Sequence, residues 1–324
     1  MNFLRRDFLR MTAGAVAVAA SRDAWADDYP SRPITIIVPY PPGGPTDLVA
    51  RVLAQKISGP LGQTVVIENI NNSLAAVGRV AHATPDGYTF GVGNNGSNLL
   101  NGALYTLPYD LIKDFEPVAR LTTNPQIIVT RKSIPAKNLK ELLVWLKANQ
   151  ATVSVGTAGA VATVSAVHFQ NVTSTKFTLV PYRGAAPAVQ DLIGERIDLM
   201  FDQLSNSLPH VRSGTIKAYA VAASTRSPSA PDIPTTDEAG LPGFYGSLWQ
   251  GLWAPKGTPQ PVIAKVSAAV MAALADPAIK QRLAALGQEV LPADQQTPAA
   301  LGAFQRAEVA KWYPIIKAAN LKAK

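Results

Sequence analysis

No cysteine occurs anywhere in the 324 residues. That absence excludes disulfide frameworks, thiol nucleophiles, iron–sulfur clusters and cysteine–zinc sites, and it leaves the chain indifferent to an oxidising compartment. Histidine is almost as scarce: His82, His168 and His210 stand far apart, with no HExxH or similar ligand spacing. No metal centre is expected from them, and each reads as a packed or surface side chain. Charged residues make up only 16% of the chain, and no dense Lys/Arg cluster with interleaved aromatics marks a nucleic-acid surface. GxSxG and GxxxxGK[ST] are both missing, which removes the nucleophile elbow and the P-loop. The sparse carboxylates form no spaced acid pair. No apolar run approaches the roughly 20 residues of a membrane-spanning helix, since the apolar stretch Met11–Ala20 has about half that length.

What is present begins with an export signature. Arg5-Arg6-Asp7-Phe8-Leu9-Arg10 precedes that apolar stretch, and Ala24-Trp25-Ala26 supplies a small-residue cleavage site. The segment resembles a twin-arginine signal, although Leu4 and Arg10 depart from that pattern. Residues 1–26 are therefore set aside, and a periplasmic location with cleavage near Ala26 is expected. Loss of four arginines and two aspartates with the segment reduces the formal charge from +8 to about +6. A modestly basic exported chain suits small anionic molecules better than nucleic acid.

The mature portion alternates strand-like and helix-like segments with short links, which implies an α/β architecture with largely parallel strands. Strands are expected at Ile34–Val38, Thr64–Glu68, Tyr88–Val92, Ile127–Thr130, Val153–Val155, Thr178–Tyr182, Ile197–Phe201, Ala218–Ala222 and Leu248–Ala254. Helices are expected at Thr46–Ile57, Ala75–His82, Asn138–Ala148, Ala188–Ile193, Ser205–Ser213, Pro261–Ala275 and Pro298–Ala319. The length suits two cores. An internal echo supports two similar halves: Val38-Pro39-Tyr40, followed by glycine, proline and an Asp-Leu pair, recurs as Val180-Pro181-Tyr182-Arg183-Gly184-Ala185-Ala186-Pro187 with Asp191-Leu192 behind it. Ligands of open α/β sheets bind beyond the carboxyl ends of strands, where such turns gather.

Gly91-Val92-Gly93-Asn94-Asn95-Gly96 matches GxGxxG after a strand. Its context argues against a dinucleotide, because Gly91 falls within the strand and Gly102 and Pro108 cut short the helix that should follow. A strand-end loop with ligand-facing Asn94, Asn95 and Ser97 is the better reading. Asp202, at the end of a strand, fits either a helix cap or a ligand contact.

Pro41-Pro42-Gly43-Gly44 forms a stiff turn ahead of a helix, with Thr46 or Asp47 as candidate caps. A carboxylate there gains about 0.3–1 kcal/mol from the helix dipole, and ~2 when partly buried. Micromolar capture needs about 8 kcal/mol, so a second turn must contribute. Gly156-Thr157-Ala158-Gly159, between a strand and a helical segment, is the natural partner.

An ordered set of motifs resembles the Bug family, the periplasmic receptors of tripartite tricarboxylate transporters. The stretches are YPSRPITIIVPYPPGGPTD at 29–47, PDGYTF at 85–90, ALYTLPYD at 103–110, KDFEPVARL at 113–121, VPYRGAAPA at 180–188, DLIGERIDLMFD at 191–202, LPHVRSG at 208–214, DIPTTDEAGLPG at 232–243 and GLWAPKGTP at 251–259. The resemblance implies an α/β, type II periplasmic binding protein fold with a ligand cleft between two α/β lobes. Residues 27–124 and 248–324 would form lobe 1, and 125–247 lobe 2. It implies a monomeric, non-catalytic receptor without cofactor that closes on a small organic acid and serves membrane transporter subunits. The ligand contacts carried over are Tyr40, Pro42, Gly43, Thr46, Asp47, Asn94 and Ser97 from lobe 1, with Thr157, Ala158, Gly159, Thr163 and Asp202 from lobe 2.

Two departures bear on the ligand. Ile70-Asn71-Asn72-Ser73-Leu74-Ala75-Ala76 replaces a proline- and glycine-rich loop, and Ala160-Val161-Ala162-Thr163 replaces a polar Gly-Ser-Thr-His run. Fewer hydroxyls around Val161 and Ala162 favour a ligand with one firmly held carboxylate and a less polar remainder, aromatic acids and mono- or dicarboxylates included. Two other readings stand beside the transport receptor: a sensor acting through a signalling partner, which a pulldown would reveal, and an exported enzyme on the same scaffold, which turnover of a bound ligand would reveal.

Overall fold

The computed structural model describes residues 29–182 and 184–321. The export segment with its cleavage position at Ala26, and Arg183 of the internal echo, lie outside the described residues. The strands are β1 (Ile34–Val38), β2 (Val65–Asn69), β3 (Thr89–Asn94), β4 (Phe115–Arg131), β5 (Ser154–Ala158), β6 (Thr178–Tyr182), β7 (Leu199–Gln203), β8 (Ile216–Val221), β9 (Ser247–Pro255) and β10 (Glu289–Val290). Hydrogen bonding orders them β2-β1-β3-β9-β4-β7-β5-β6, with β8 and β10 also paired to β4. The helices are α1 (Pro45–Leu61), α2 (Ser73–Ala81), α3 (Leu139–Ala148), α4 (Gly159–Thr173), α5 (Ala185–Ile193), α6 (Leu204–Arg212), α7 (Gln260–Ala275), α8 (Pro277–Ala285) and α9 (Pro298–Ala318). A π turn at Gly96–Leu100 runs into a short helical segment, Asn101–Leu104.

Strand direction corrects one expectation. β1 pairs in parallel with β2 and β3, and β5 with β6 and β7, as the alternating pattern implies. The middle of the sheet is antiparallel, because β9 runs against both β3 and β4, and β4 runs against β7 and β8. The 17-residue β4 is the reason. Its first part, Phe115–Pro125, pairs with β9, and its second, from Gln126, pairs with β7 and β8, so one strand crosses from one half of the molecule to the other. Only Ile127–Thr130 of this strand carries an apolar signature. Pro117 and Pro125 interrupt the rest, and Thr122 and Asn124 are buried polar residues at the crossing.

Each half has its own core. In the first, Val49, Val52, Leu53 and Ile57 of α1 meet Ile34, Ile36 and Val38 of β1 and Val262, Val266 and Val270 of α7. Burial of each such side chain contributes about 1.5–3 kcal/mol. α1 runs on past Pro60 and stops at Gly62, whose φ of 70° takes the left-handed turn that ends a helix. In the second half, Phe169 of α4 touches Phe201 and Phe244 with ring centroids 5.0 and 5.4 Å apart, against a layer of Leu139, Leu142 and Leu146. The elements that close the chain return to the first half: β9 fills the centre of its sheet, and α9 packs Leu301, Trp312 and Ile316 beside Trp249 and Trp253. α8, absent from the sequence expectation, starts at an Asp276 cap whose side chain accepts from the Ala278 and Ile279 amides. Among the described residues no single helix is long and apolar enough to cross a membrane.

Candidate ligand-binding site

The carboxyl end of β1 leads into the turn Tyr40–Gly44, and its glycines serve different needs. Gly43 adopts φ 84°, a conformation costly for other residues, while Gly44 is extended and caps α1 without a side chain. Asp47 fixes the turn from below. Its carboxylate accepts from the Gly43 amide at 2.8 Å, Arg51 Nε at 2.9 Å and Asn69 Nδ2 at 2.8 Å, while Asn69 Nδ2 also reaches the Tyr40 carbonyl at 3.1 Å. Burial alone would raise the Asp47 pKa, but these hydrogen bonds and the Arg51 charge outweigh it and hold the carboxyl below its ordinary range.

A second network orders the turn after β3. Asn94 Oδ1 accepts from Tyr40 Oη at 2.8 Å and from the Gly96 amide at 2.8 Å, and Asn94 Nδ2 reaches Thr46 Oγ1 at 3.3 Å. Ser97 Oγ bonds the backbone of Asn94 and donates to Asn98 Oδ1 at 2.7 Å. The GxGxxG glycines serve packing: a Cβ on Gly91 would stand 3.0 Å from Val80, and one on Gly93 only 1.9 Å from Asn98 Oδ1. No phosphate cradle forms there.

These turns face those of the other half across a cavity of about 580 Å³. Tyr40, Pro42, Thr46, Asn94, Ala158, Gly159 and Asp202 of the expected site line it. Gly43, Asp47, Ser97, Thr157 and Thr163 do not. Gly43 and Asp47 hold the first turn from behind, and Ser97 holds the second. Thr157 is buried with Oγ1 directed at the Val180 carbonyl, 3.5 Å away, and Thr163 Oγ1 donates to the Gly159 carbonyl at 3.0 Å, one helical turn back.

Sequence reasoning missed other lining groups. Ala185 and Ala186 open α5 after Gly184, and all three line the cavity; the repeat of Val-Pro-Tyr and the VPYRGAAPA stretch were their signals. Gln126, Gln203, Asn206, Phe201 and Leu248 also face the cavity. Gln126 is at the crossing point of β4, where its Oε1 accepts from Ser165 Oγ at 2.6 Å, a pairing no local pattern reveals.

The electrostatics come from backbone. The amino ends of α1, α4, α5 and α6 all reach this cavity, and none is capped by the side chain of its own N-cap residue, although Asn124 Oδ1 accepts from the Ser205 amide of α6 at 3.5 Å and Asp47 lies in the first turn of α1. α2, α3, α8 and α9, which begin elsewhere, are capped by Asn72, Asn138, Asp276 and Thr297, whereas α7 begins at Pro259 without one. Among the described lining residues none is lysine or arginine, and Asp202 is the one carboxyl. Its burial pushes its pKa up, against hydrogen bonds from Ser207 at 2.6 Å and Asn206 at 2.7 Å. The cavity thus offers amide donors and dipole ends at one level and apolar Ala160, Val161, Phe201 and Leu248 around them. Among the described residues no three His, Asp or Glu side chains gather as a metal site would need.

Two α/β halves joined by crossing strands, with a cleft ringed by helix amino ends, define a periplasmic binding protein. Residues 49–321 match the family described as the tripartite tricarboxylate transporter family receptor, and the chain belongs to that family, the Bug-type receptors. BugD, a periplasmic binding protein, superposes with a TM-score of 0.78 at 38% identity over 91% of this chain and 100% of that one. MatC from Rhodopseudomonas palustris, solved with bound malate, gives a TM-score of 0.78 at 40% identity over 89% of this chain and 100% of its own. A protein encoded in the TAR-I ttuE-ttuC' intergenic region of Agrobacterium vitis is 42% identical over 94% of this chain and 91% of its own length.

Proposed function

We propose that this protein is a periplasmic receptor that captures a small organic acid by closing two lobes, 27–124 with 248–324 and 125–247, and presents it to the membrane subunits of a tripartite tricarboxylate-type transporter. The observation that carries this reading is the convergence on one cavity of four helix amino ends whose own N-cap residues supply no side-chain cap. Each contributes about 0.3–1 kcal/mol to a bound anion, up to ~2 when partly buried. Four ends supply about 1–4 kcal/mol in this way, and the amide hydrogen bonds and apolar contacts to the ligand supply the remainder of the ~8 kcal/mol that micromolar capture requires.

The bound carboxylate lies among Thr46, Gly44, Gly159 and Gly184. Apolar Val161, Ala160, Phe201 and Leu248 suit a ligand whose remainder is less polar than that of a tricarboxylate. Malate in the MatC relative is consistent with a short carboxylic acid. The protein acts as a monomer, without catalysis or cofactor.

Gly44→Asp tests the site directly. An aspartate at this extended position caps α1 itself and brings its own negative charge to the cavity. The expected outcome is a fold at least as stable as wild type with binding weakened by about a hundredfold or more, about 2.7 kcal/mol; wild-type affinity would overturn the reading. A thermal-shift screen of organic acids tests the ligand class, and stabilisation by citrate-like tricarboxylates alone would reject it.

A further inference from the structure

Arg120 lies in the first part of β4, just before the strand crosses between the two halves, and its side chain is only 9% exposed. Its guanidinium carbon stands 3.4 Å from the centroid of the Phe304 ring. Nε is buried with no hydrogen-bond partner, and among the described residues Arg120 forms no salt bridge. Loss of water lowers its pKa to about 10, against the opposing pull of Glu308. The side chain borders a cavity of about 420 Å³ that shares no lining residue with the ligand cleft.

Two carboxylates border this cavity, and one oxygen of each is engaged by other donors. Glu308 Oε2 already accepts from the Trp249 and Trp312 indoles at 3.3 and 3.0 Å, and Glu289 from Ser227 Oγ at 2.5 Å. Lys311 brings a second cation, 4.5 Å from the Trp312 ring centroid and 3.5 Å from the Tyr245 carbonyl. Thr123, Ser224, Thr225 and Ser247 add hydroxyls. A guanidinium largely withdrawn from water, with Nε unpartnered and no direct ion pair to the Glu308 or Glu289 carboxylates that share its cavity, is unfavourable, and its planar fork matches two oxygens of an oxyanion.

We propose that the cavity beside Arg120 is a second anion site, taking a small oxyanion, inorganic phosphate or a short carboxylate, independently of the ligand in the cleft. The anion receives a pair of hydrogen bonds from Arg120, with Lys311 and the hydroxyls of Ser224 and Thr225 also lining the cavity.

The test uses the mature protein at constant ionic strength, titrated separately with inorganic phosphate and with malonate, and followed by calorimetry and thermal midpoint. A saturable response at this site is expected with either probe, resolved from any malonate held in the cleft by its persistence in Gly44→Asp, and which probe responds identifies the source of the oxyanion. Arg120→Met should abolish that response, and the edge variant Lys311→Gln should weaken it by about threefold or more. Gly44→Asp, altered only in the cleft, should retain it. A non-saturating salt-like response, or a saturable one unchanged in both Arg120→Met and Lys311→Gln, overturns the proposal, as does its loss in Gly44→Asp. Should Arg120→Met not fold, Lys311→Gln decides alone.

Discussion

Asp47 accepts a hydrogen bond from the Gly43 amide at 2.8 Å, with Gly43 held at φ 84°. The carboxylate therefore shapes the binding turn from outside the cavity. Asp47→Ala would leave the Gly43 amide and the Arg51 and Asn69 donors without their acceptor, costing about 1–3 kcal/mol of stability and weakening ligand binding through a loosened turn. Denaturant unfolding and ligand titration of the same variant check both effects. The depressed pKa adds a sign: the carboxylate's contribution is full above its ordinary value and fades as pH falls through the folded value, so Asp47→Asn should lose less stability on acidification than wild type.

Gly159 opens α4 at φ 78°, lines the cavity, and leaves open space where a Cβ would stand, with nothing within 4 Å. Gly159→Ala should cost about 1–2 kcal/mol for the left-handed backbone and also obstruct the ligand. Gly214 shares the left-handed conformation and open surroundings but lies away from the cavity. Gly214→Ala should show a similar loss of stability with unchanged affinity; equal affinity in the two variants would remove Gly159 from the site.

His168 stacks on Phe244 at 5.5 Å and meets the edge of Trp312 at 5.6 Å, joining α4 to α9. Burial, then the nearby Lys311, lowers its pKa. The unfolded chain takes up the proton first as pH falls, so stability is full above about 6.5 and declines below it until the folded histidine also titrates. Thermal midpoints from pH 8 to pH 5 should show this decline (about 6.5 being its onset), and His168→Phe should flatten it.

Tyr40 Oη donates to Asn94 Oδ1 at 2.8 Å, while that oxygen keeps the Gly96 amide at 2.8 Å. Tyr40→Phe should therefore cost only about 0.5–1.5 kcal/mol, with the loss greater in ligand affinity than in unfolding midpoint, because Tyr40 lines the cavity. A larger effect on unfolding than on binding would assign Tyr40 to structure alone.

Much of the local structure was legible in the chain. β1 and β6 carry their own apolar signatures and match their expected bounds, and Pro41-Pro42-Gly43-Gly44 announces a turn at a helix start. The small-residue run at Ala158-Gly159 likewise depends on neighbours close in sequence, whereas the helix expected from Ala188 begins at Ala185. β4 was legible only at Ile127–Thr130, because its remaining length is secured by distant partners: Thr122 donates to Gln288 and Asn124 to Ser205, in place of an apolar pattern.

The sequence by itself determined the alternation of strands and helices, the turn at Pro41-Pro42-Gly43-Gly44 and which relatives the chain resembles, since these follow from short-range backbone preference and residue order, whereas the cap expected from Thr46 or Asp47 falls at Gly44. Tertiary structure alone decided that Asp47 and Ser97 spend their polar atoms on supporting turns, that Gln126 and Asn206 face the cavity, and that Arg120 is buried without a salt bridge among the described residues. The physical reason is that a polar side chain's role depends on which donors, acceptors and water it meets, and a chain that crosses twice between two halves brings those partners together from positions far apart in sequence.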